Sequence, residues 1–263
     1  MDKHHISITS CFDYSIPIIE QIKYISKVGF SHFSLGMYTQ HSGIFDEDRL
    51  KKLKRTLIEN KISIDTIHYS VTLEDDNWYE VMERTINSAI YLECSIIVVH
   101  CTEFIFDNKE YDKKLDKLKK RIYILEDLCK KYDIKIALEN LCIGKPTEII
   151  EELLKISNPE YIGFCYDSSH DQIDGPRPMK LLEEWKNRLL TVHISDRIKE
   201  FTDHVIPGEG FVQFYKIVSI LKEIKFEYPL LMEVEKTFSR YKNTEEFLNN
   251  TYKVARKLEN SIR

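Results

Sequence analysis

The sequence predicts an α/β fold, a single (β/α)8 TIM barrel, from three observations. Short apolar runs alternate with amphipathic helical patterns at roughly 25–40 residues per unit, as expected for right-handed βα units. The length of 263 residues is close to the roughly 250 residues typical of this barrel. Several apolar runs also end in Glu, Asp or His, and barrels collect polar side chains at the carboxyl ends of their strands.

The first half of the chain contains four pairs of a strand followed by a helix. Pro17 suits the first turn of a helix, because its missing N–H needs no partner there. The run at 96–100 is rich in β-branched residues, which is typical of a strand buried on both faces. The predicted strands are His5–Thr9, Phe33–Leu35, Ile62–His68 and Ile96–His100, and the predicted helices are Pro17–Val28, Phe45–Asn60, Asn77–Leu92 and Glu110–Tyr132.

The second half repeats this alternation, beginning with the strand Ile-Lys-Ile-Ala-Leu-Glu-Asn at 134–140. The run Gly208-Glu209-Gly210 predicts a tight turn into the next helix, since glycine relieves the backbone in such turns. No linker or shift in composition divides the chain, so we expect one domain over residues 1–263. The predicted strands are Ile134–Asn140, Ile162–Tyr166, Leu189–His193 and Leu230–Glu233, and the predicted helices are Pro146–Ile156, Lys180–Lys186, Phe211–Ile224 and Thr244–Leu258.

The charge balance limits the classes of partner. The chain has 38 basic and 43 acidic residues, a formal net charge of −5, which gives no global attraction to nucleic acid or to an anionic membrane. The Lys-rich face of the 110–132 helix is interpreted as a solvated surface, with a local nucleic-acid patch as the alternative. No apolar run approaches the roughly 20 residues that span a bilayer.

The cysteines and the N-terminus indicate a cellular location. The six cysteines form no CxxC pair, and several lie in apolar strand or helix contexts, so we interpret them as reduced, buried thiols. The opening Met-Asp-Lys-His-His does not resemble the start of a signal peptide. We therefore expect a soluble, cytoplasmic protein. The six cysteines are Cys11, Cys94, Cys101, Cys129, Cys142 and Cys165.

Four predicted strands in the second half end in side chains that bind metals. Three carboxylates that converge on one rim, among several imidazoles, would repel one another unless a positive group lay between them. A divalent cation is the simplest such group. Mixed Glu, Asp and His ligands suit Zn2+ or Mn2+, with Co2+ and Fe2+ as alternatives. One such histidine alone would be interpreted as rim or core packing, and Glu233 alone as a rim salt bridge. The strand-end residues are Glu139, Asp167, His193 and Glu233, and the further imidazoles near the rim are His68, His100, His170 and His204.

Five short motifs in this half resemble one known family. In order they are Ala-Leu-Glu139-Asn, Cys-Tyr-Asp167-Ser-Ser-His170, Val-His193-Ile-Ser-Asp196, His204-Val-Ile-Pro-Gly208-Glu209-Gly210 and Leu-Met-Glu233-Val. Their order and spacing resemble the xylose-isomerase-like TIM barrel superfamily. That group includes sugar and sugar-phosphate isomerases and epimerases, and the abasic-site (AP) endonucleases of family 2, such as endonuclease IV.

The resemblance to the ketose epimerases implies a role for each motif. It implies that Glu139, Asp167, His193 and Glu233 hold one divalent ion. It also implies that Glu139 and Glu233 are catalytic and exchange a proton with the substrate through an enediolate, as general base and acid. His170 would contact sugar oxygens. Arg197 is a further candidate for binding a small-molecule substrate through its phosphate or carboxylate.

The resemblance to endonuclease IV implies a different site. There His68 and His100 would share a first zinc with Glu139, and His170 and His204 would belong to a third zinc. This sequence departs from that pattern at Thr202, where the endonuclease has an Asp two residues before the histidine. We see no rim loop basic enough to grip a DNA backbone, so nucleic acid is the less favoured partner.

Other interpretations stay open at this stage. The barrel could bind a small polyol without turning it over, although the paired Glu139 and Glu233 argue against that. The sequence does not decide between a monomer and a homo-oligomer. Aromatic residues near the predicted strand ends could form an apolar wall against a sugar ring, although most are expected to be packing residues. These are Phe12, Phe33, Tyr38, Tyr69, Phe104 and Tyr166.

Overall fold

Eight parallel strands close into one barrel. The computed structural model describes residues 5–104, 107–141, 143–173, 175–200 and 202–263. Each strand pairs in parallel with the next strand along the chain, and β8 pairs with β1 to close the sheet. The predicted (β/α)8 barrel is confirmed. The strands are β1 Ile6–Thr9, β2 His32–Leu35, β3 Ser63–His68, β4 Ile96–Val99, β5 Lys135–Glu139, β6 Ile162–Asp167, β7 Leu189–Ile194 and β8 Leu230–Met232.

The described ranges contain ten α-helices, which connect the strands. Eight match the predicted helices to within about four residues at each end. Two are single turns that the sequence analysis did not predict, namely α2 and α7. The helices are α1 Ile18–Val28, α2 Thr39–Ser42, α3 Glu47–Asn60, α4 Trp78–Leu92, α5 Tyr111–Tyr132, α6 Lys145–Ile156, α7 Ser168–Asp171, α8 Lys180–Trp185, α9 Phe214–Glu223 and α10 Thr244–Ile262.

Helix α9 begins three residues later than predicted, for a local reason. The backbone N–H of Phe211 donates to the carbonyl of Arg197 at 3.0 Å. The N–H of Val212 donates to a side-chain oxygen of Asp196 at 3.0 Å. Both groups are therefore bound to the loop that follows β7, and the helix begins at Phe214.

The core has two parts. A large apolar layer fills the space between the strands and the helices. A second, small cluster includes Val98, Ala137 and Cys165. Strand alternation places Ala137 on the same face as Glu139, and Cys165 on the same face as Asp167. These small apolar side chains thus fill the barrel interior below its polar mouth.

The described cysteines agree with the interpretation as reduced thiols. All five are free, and four of them are buried. Cys11 is half-buried near the mouth, and Cys142 lies outside the described residues. Within the described ranges no helix has the length and apolar character needed to cross a bilayer.

Candidate metal centre and active site

The ends of strands β5 to β8 place the four predicted metal-ligating side chains close together. Glu139 and Asp167 are the last residues of β5 and β6, His193 lies in β7, and Glu233 directly follows β8. Asp167 pairs with His193 in the register of β6 and β7. One donor atom from each of these four residues lies within 4.8 Å of the other three. The geometry thus brings together four side chains that were scattered over the second half of the chain.

Glu139 lies at the centre of the mouth. Its carboxylate is fully buried and contacts imidazoles on both oxygens. Oε2 lies 3.1 Å from His68 Nε2 and 3.2 Å from His100 Nε2. Oε1 lies 3.0 Å from His193 Nδ1 and 3.6 Å from His170 Nδ1. Four of the histidines singled out in the sequence therefore surround this one carboxylate.

Glu233 occupies the other side of His193. Its Oε2 lies 2.8 Å from His193 Nδ1 and 3.9 Å from His204 Nδ1. The same imidazole nitrogen thus contacts both Glu139 and Glu233. The two glutamates that the sequence analysis paired as acid and base therefore lie within reach of one shared group.

Asp167 provides the test of whether the site fits a cation. Its Oδ1 accepts hydrogen bonds from Ser169 Oγ at 2.9 Å and from the backbone N–H of His170 at 2.6 Å. Its Oδ2 is buried and has no partner among the described residues. A buried, unpartnered carboxylate oxygen is costly. An unpartnered oxygen on a residue that belongs to the four-residue donor set fits a divalent ion.

The mouth contains more donors than one ion needs. Besides the four-residue set, His68, His100 and Glu139 form a group whose donor atoms lie within 4.8 Å of one another. Asp167, His170 and His204 form another. These two groups share Glu139 and Asp167 with the four-residue set. A fourth group joins Cys165 to Glu139 and His193. The described residues therefore offer four overlapping ligand groups, which are clusters that could hold metal ions.

The electrostatics follow from burial and from close opposite charges. Burial alone would raise the pKa of Glu139, but the His193 and His100 imidazoles lower it well below its ordinary value. Burial also opposes ionisation of Glu233, yet His193 lowers its pKa to about 2. Burial opposes protonation of His204, but Glu233 and Asp167 raise its pKa to about 9. The two glutamates are thus held ionised, which is the form that binds metals, whereas burial raises the pKa of Asp167.

A small cavity lies directly over these donors. Its volume is about 180 Å³, below the ~300–1,000 Å³ of a drug-sized ligand site. Exposed aromatic rings border it, since Tyr38 is 59% and Phe104 is 44% exposed. The other four aromatics considered in the sequence analysis are buried. The described lining comprises Cys11, Tyr14, Gly36, Met37, Tyr38, His68, His100, Phe104, Glu139, His170, His204, Glu233 and Glu235.

Glu235 and Tyr14 line the cavity but were missed in the sequence analysis. A signal for Glu235 existed, because it follows Glu233 by two positions, and residues two apart share a face wherever a strand direction continues. Burial raises the pKa of Glu235. Tyr14 lies in the loop between β1 and α1, where no spacing rule indicates the direction of a side chain.

Arg197 does not take the substrate-binding position expected for it. Its side chain is 2% exposed, and it is absent from the described lining of the cavity. Its Nε donates to the carbonyl of Ser169 at 2.8 Å, and its guanidinium pairs with Asp203. Because the guanidinium is already paired and buried, the geometry favours a role in positioning the loop that bears His204.

Asp196 organises the same loop. Its Oδ1 accepts the backbone N–H groups of Arg197 and Val212, at 2.8 and 3.0 Å. Its Oδ2 accepts those of Gly208 and Gly210, both at 2.8 Å. One buried carboxylate thus binds the loop at four points. The loop residue His204, with its left-handed backbone (φ 52°), is held at the mouth as a result.

The fold and this donor set define a class: a (β/α)8 barrel whose mouth gathers metal-ligating side chains. The sequence model of the family described as "Xylose isomerase-like TIM barrel" matches residues 22–251. This chain belongs to that family, which confirms the resemblance seen in its motifs.

Solved structures with similar folds include sugar epimerases and an AP endonuclease. A D-tagatose 3-epimerase-like protein is 18% identical, with 98% of each chain covered and a TM-score of 0.79. The 3-keto-D-glucoside 4-epimerase of E. coli is 15% identical, with 97% of this chain and 100% of that chain covered and a TM-score of 0.76. A family 2 AP endonuclease from Brucella melitensis is 15% identical, with 95% of this chain and 98% of that chain covered and a TM-score of 0.74. At these identities the likeness concerns the fold alone.

Curated relatives share part of their length with this chain. An uncharacterized protein of Sinorhizobium fredii is 24% identical over 190 residues, which cover 70% of this chain and 60% of that protein. An inosose dehydratase of Bacillus cereus is 25% identical over 150 residues, which cover 50% of this chain and 49% of the enzyme. The match thus spans about half to three-fifths of these relatives. The fold is an enzyme-family fold with sugar epimerase and dehydratase neighbours.

Proposed function

We propose that this protein is a divalent-metal-dependent isomerase or epimerase of a sugar or a sugar-like polyhydroxy ketone. The observation that carries the proposal is the pair Glu139 and Glu233, both within 3.0 Å of His193 Nδ1 and both facing one small cavity. Inverting a carbon next to a carbonyl requires one group to remove a proton and another to return it. Two carboxylates on one cavity can provide that pair when one acts as the base and the other, after taking up a proton from water, acts as the acid.

The residues that would hold the ion are Glu139, Asp167, His193 and Glu233. When bound there, Zn2+ or Mn2+ would polarise the substrate carbonyl as a Lewis acid and so acidify the adjacent C–H. His170 would contact substrate oxygens beside the donors. Its Nδ1 lies 3.0 Å from the carbonyl of Asn140, so Nε2 is the ring nitrogen that can hydrogen-bond to the substrate.

In the proposed reaction, the chain's own groups move one proton. One of the two glutamates accepts the proton from the carbon next to the carbonyl, which leaves an enediolate. The other glutamate takes up a proton from water once the substrate is bound and donates it to that carbon from the opposite side, which inverts the configuration. The first glutamate then releases its proton to water, so both carboxylates return to their starting state. The surrounding imidazoles keep both carboxylates ionised before the substrate binds. Elimination of water from a polyol ketone, as the name of the inosose dehydratase relative implies, begins with the same proton removal.

The test is turnover of a panel of ketoses by the protein supplied with Mn2+, Co2+ or Zn2+, followed by NMR detection of new epimers. Glu139→Gln and Glu233→Gln preserve shape but remove the base, and each should lower turnover by about 10²–10⁴. Glu20→Gln, on the surface of α1, is the matched control and should keep full turnover. The proposal fails if Glu139→Gln epimerises as fast as the parent protein.

Phosphodiester hydrolysis at abasic sites in DNA is the second candidate. The group formed by His68, His100 and Glu139 favours it, because a second ion there would suit a multi-zinc hydrolase. Against it, the described cavity lining contains no Lys or Arg to bind phosphates. Metal counting by anomalous scattering, beside an incision assay on an abasic-site duplex, separates the two candidates. Three ions with incision would establish the hydrolase, and one ion without incision would exclude it.

A further inference from the structure

An open groove adjoins the small cavity and shares one wall with it. The groove has a volume of about 510 Å³, within the ~300–1,000 Å³ typical of ligand sites. Tyr14, Met37 and Tyr38 line both the groove and the cavity. The far side of the groove is formed by Ser70 and Val71, in the loop after β3. A molecule whose reacting end occupies the cavity can thus extend across Tyr38 into the groove.

The wall of the groove is built before any ligand arrives. The Tyr14 and Tyr38 rings pack edge to face, with centroids 4.7 Å apart. Arg49, from α3, fixes the segment that follows Tyr38, because its guanidinium donates to the carbonyls of Gln40 and His41 at 2.9 and 2.8 Å. A groove with a fixed wall does not have to order that wall when it binds, and this favours affinity.

The chemistry of the groove indicates a neutral ligand. None of its described lining residues is Asp, Glu, Lys or Arg. A phosphate placed there would lose water without meeting a Lys or Arg, and the lining imidazole of His41 already contacts the carbonyl of Ile16 through Nε2 at 2.8 Å. The lining instead offers the 59% exposed ring of Tyr38, together with the hydroxyl and amide groups of Thr39, Gln40 and Ser70. An aromatic face flanked by neutral hydrogen-bonding groups suits a ring that carries both C–H surface and hydroxyls, which describes a neutral sugar.

We propose that the groove is a subsite for a second, neutral sugar ring, so that the substrate is a glycosylated ketose and not a free ketose or a ketose phosphate. This inference rests on the proposed function, because it assumes that the reacting sugar occupies the cavity over Glu139. It adds a binding site and a substrate class: the reacting ketose lies over the metal-ligating residues, and the attached ring lies against Tyr38.

The test measures binding and is therefore independent of turnover. Isothermal titration calorimetry with the Mn2+-loaded full chain would compare lactulose, turanose and isomaltulose with D-fructose and D-fructose 6-phosphate. At least one disaccharide should bind about tenfold more tightly than D-fructose, as expected for a ring contact with an aromatic face. Tyr38→Ala should remove that preference, and Tyr38→Phe, which keeps the ring, should retain it. Tyr215→Ala, at a ring that is 70% exposed on α9, is the matched control and should retain it too.

The outcomes separate this inference from the proposed function. The subsite is refuted if no disaccharide binds more tightly than D-fructose, if Tyr38→Ala keeps the preference, or if D-fructose 6-phosphate binds more tightly than every disaccharide. Epimerisation of free ketoses without any preference for a disaccharide would support the proposed function and refute the subsite. A preference that depends on Tyr38, without any epimerisation of the disaccharides, would support the subsite and contradict the proposed reaction.

Discussion

Asp196→Asn is the substitution whose effect can be worked out most fully from the structure. The parent carboxylate accepts four backbone N–H groups, two on each oxygen. Asparagine keeps one acceptor oxygen and turns a donor toward the other two N–H groups. Hydrogen bonds to a charged group contribute ~1.5–3 kcal/mol each, so loss of two corresponds to ~3–6 kcal/mol of local stability. The loop can open without unfolding the barrel, so the global free energy of unfolding should fall by less.

Hydrogen exchange read by mass spectrometry measures this loss directly. Since about 1.4 kcal/mol is tenfold in an equilibrium constant, the pair of amides that faces the new NH2 group, either Gly208 and Gly210 or Arg197 and Val212, should lose at least about 100-fold in protection. Asp46→Asn is the matched control, because Asp46 caps α3 through the N–H of Arg49 at 2.9 Å and asparagine caps equally well. Unchanged protection in Asp196→Asn, or the same loss in the control, would refute the reasoning.

Two further predictions concern the mouth and its glycines. Burial raises the pKa of Asp13, but its bonds, chiefly with Lys236, lower it below the ordinary value. The ionised Asp13 side chain therefore stabilises the fold above about pH 4, and this stabilisation is lost as the pH falls through the folded pKa. In urea titrations, Asp13→Asn should have a lower free energy of unfolding at pH 7, and that free energy should depend less on pH below 4. A Cβ at Gly210 would overlap the backbone carbonyl of Arg197. At Gly144 an added Cβ meets no atom, but alanine must adopt a left-handed backbone with φ 101°. Gly210→Ala should lower the melting temperature more than Gly144→Ala, since it adds overlap with backbone atoms; an equal effect would contradict this.

The sequence contained enough information for the barrel and for the positions of the donors. Strand alternation and apolar runs locate β5 and β6 to within a residue or two, and the parallel arrangement then brings Glu139 and Asp167 together. Register along a strand is a local property, so it can be read from a short stretch of sequence. Residues scattered over the second half of the chain can therefore be grouped from the sequence alone.

The loops could not be predicted in this way. Whether Arg197 faces the cavity depends on the path of its loop, which is set by the bonds of Asp196 to amides up to sixteen residues away. Tyr14 reaches the cavity from a turn after β1, and no sequence period describes such a turn. Substrate specificity resides in these loops, which is why the adjoining groove emerged only from the three-dimensional arrangement.

The most direct test of the central claim, proton transfer by Glu139 and Glu233, is solvent isotope incorporation. The Mn2+-loaded protein would be given a ketose or glycosylated ketose in D2O, and the new epimer would be analysed by NMR. We expect one deuterium at the carbon next to the carbonyl, with its rate of appearance sharply reduced in Glu139→Gln and Glu233→Gln. An epimer that carries no deuterium at that carbon, or incorporation at an undiminished rate in both variants, would contradict it.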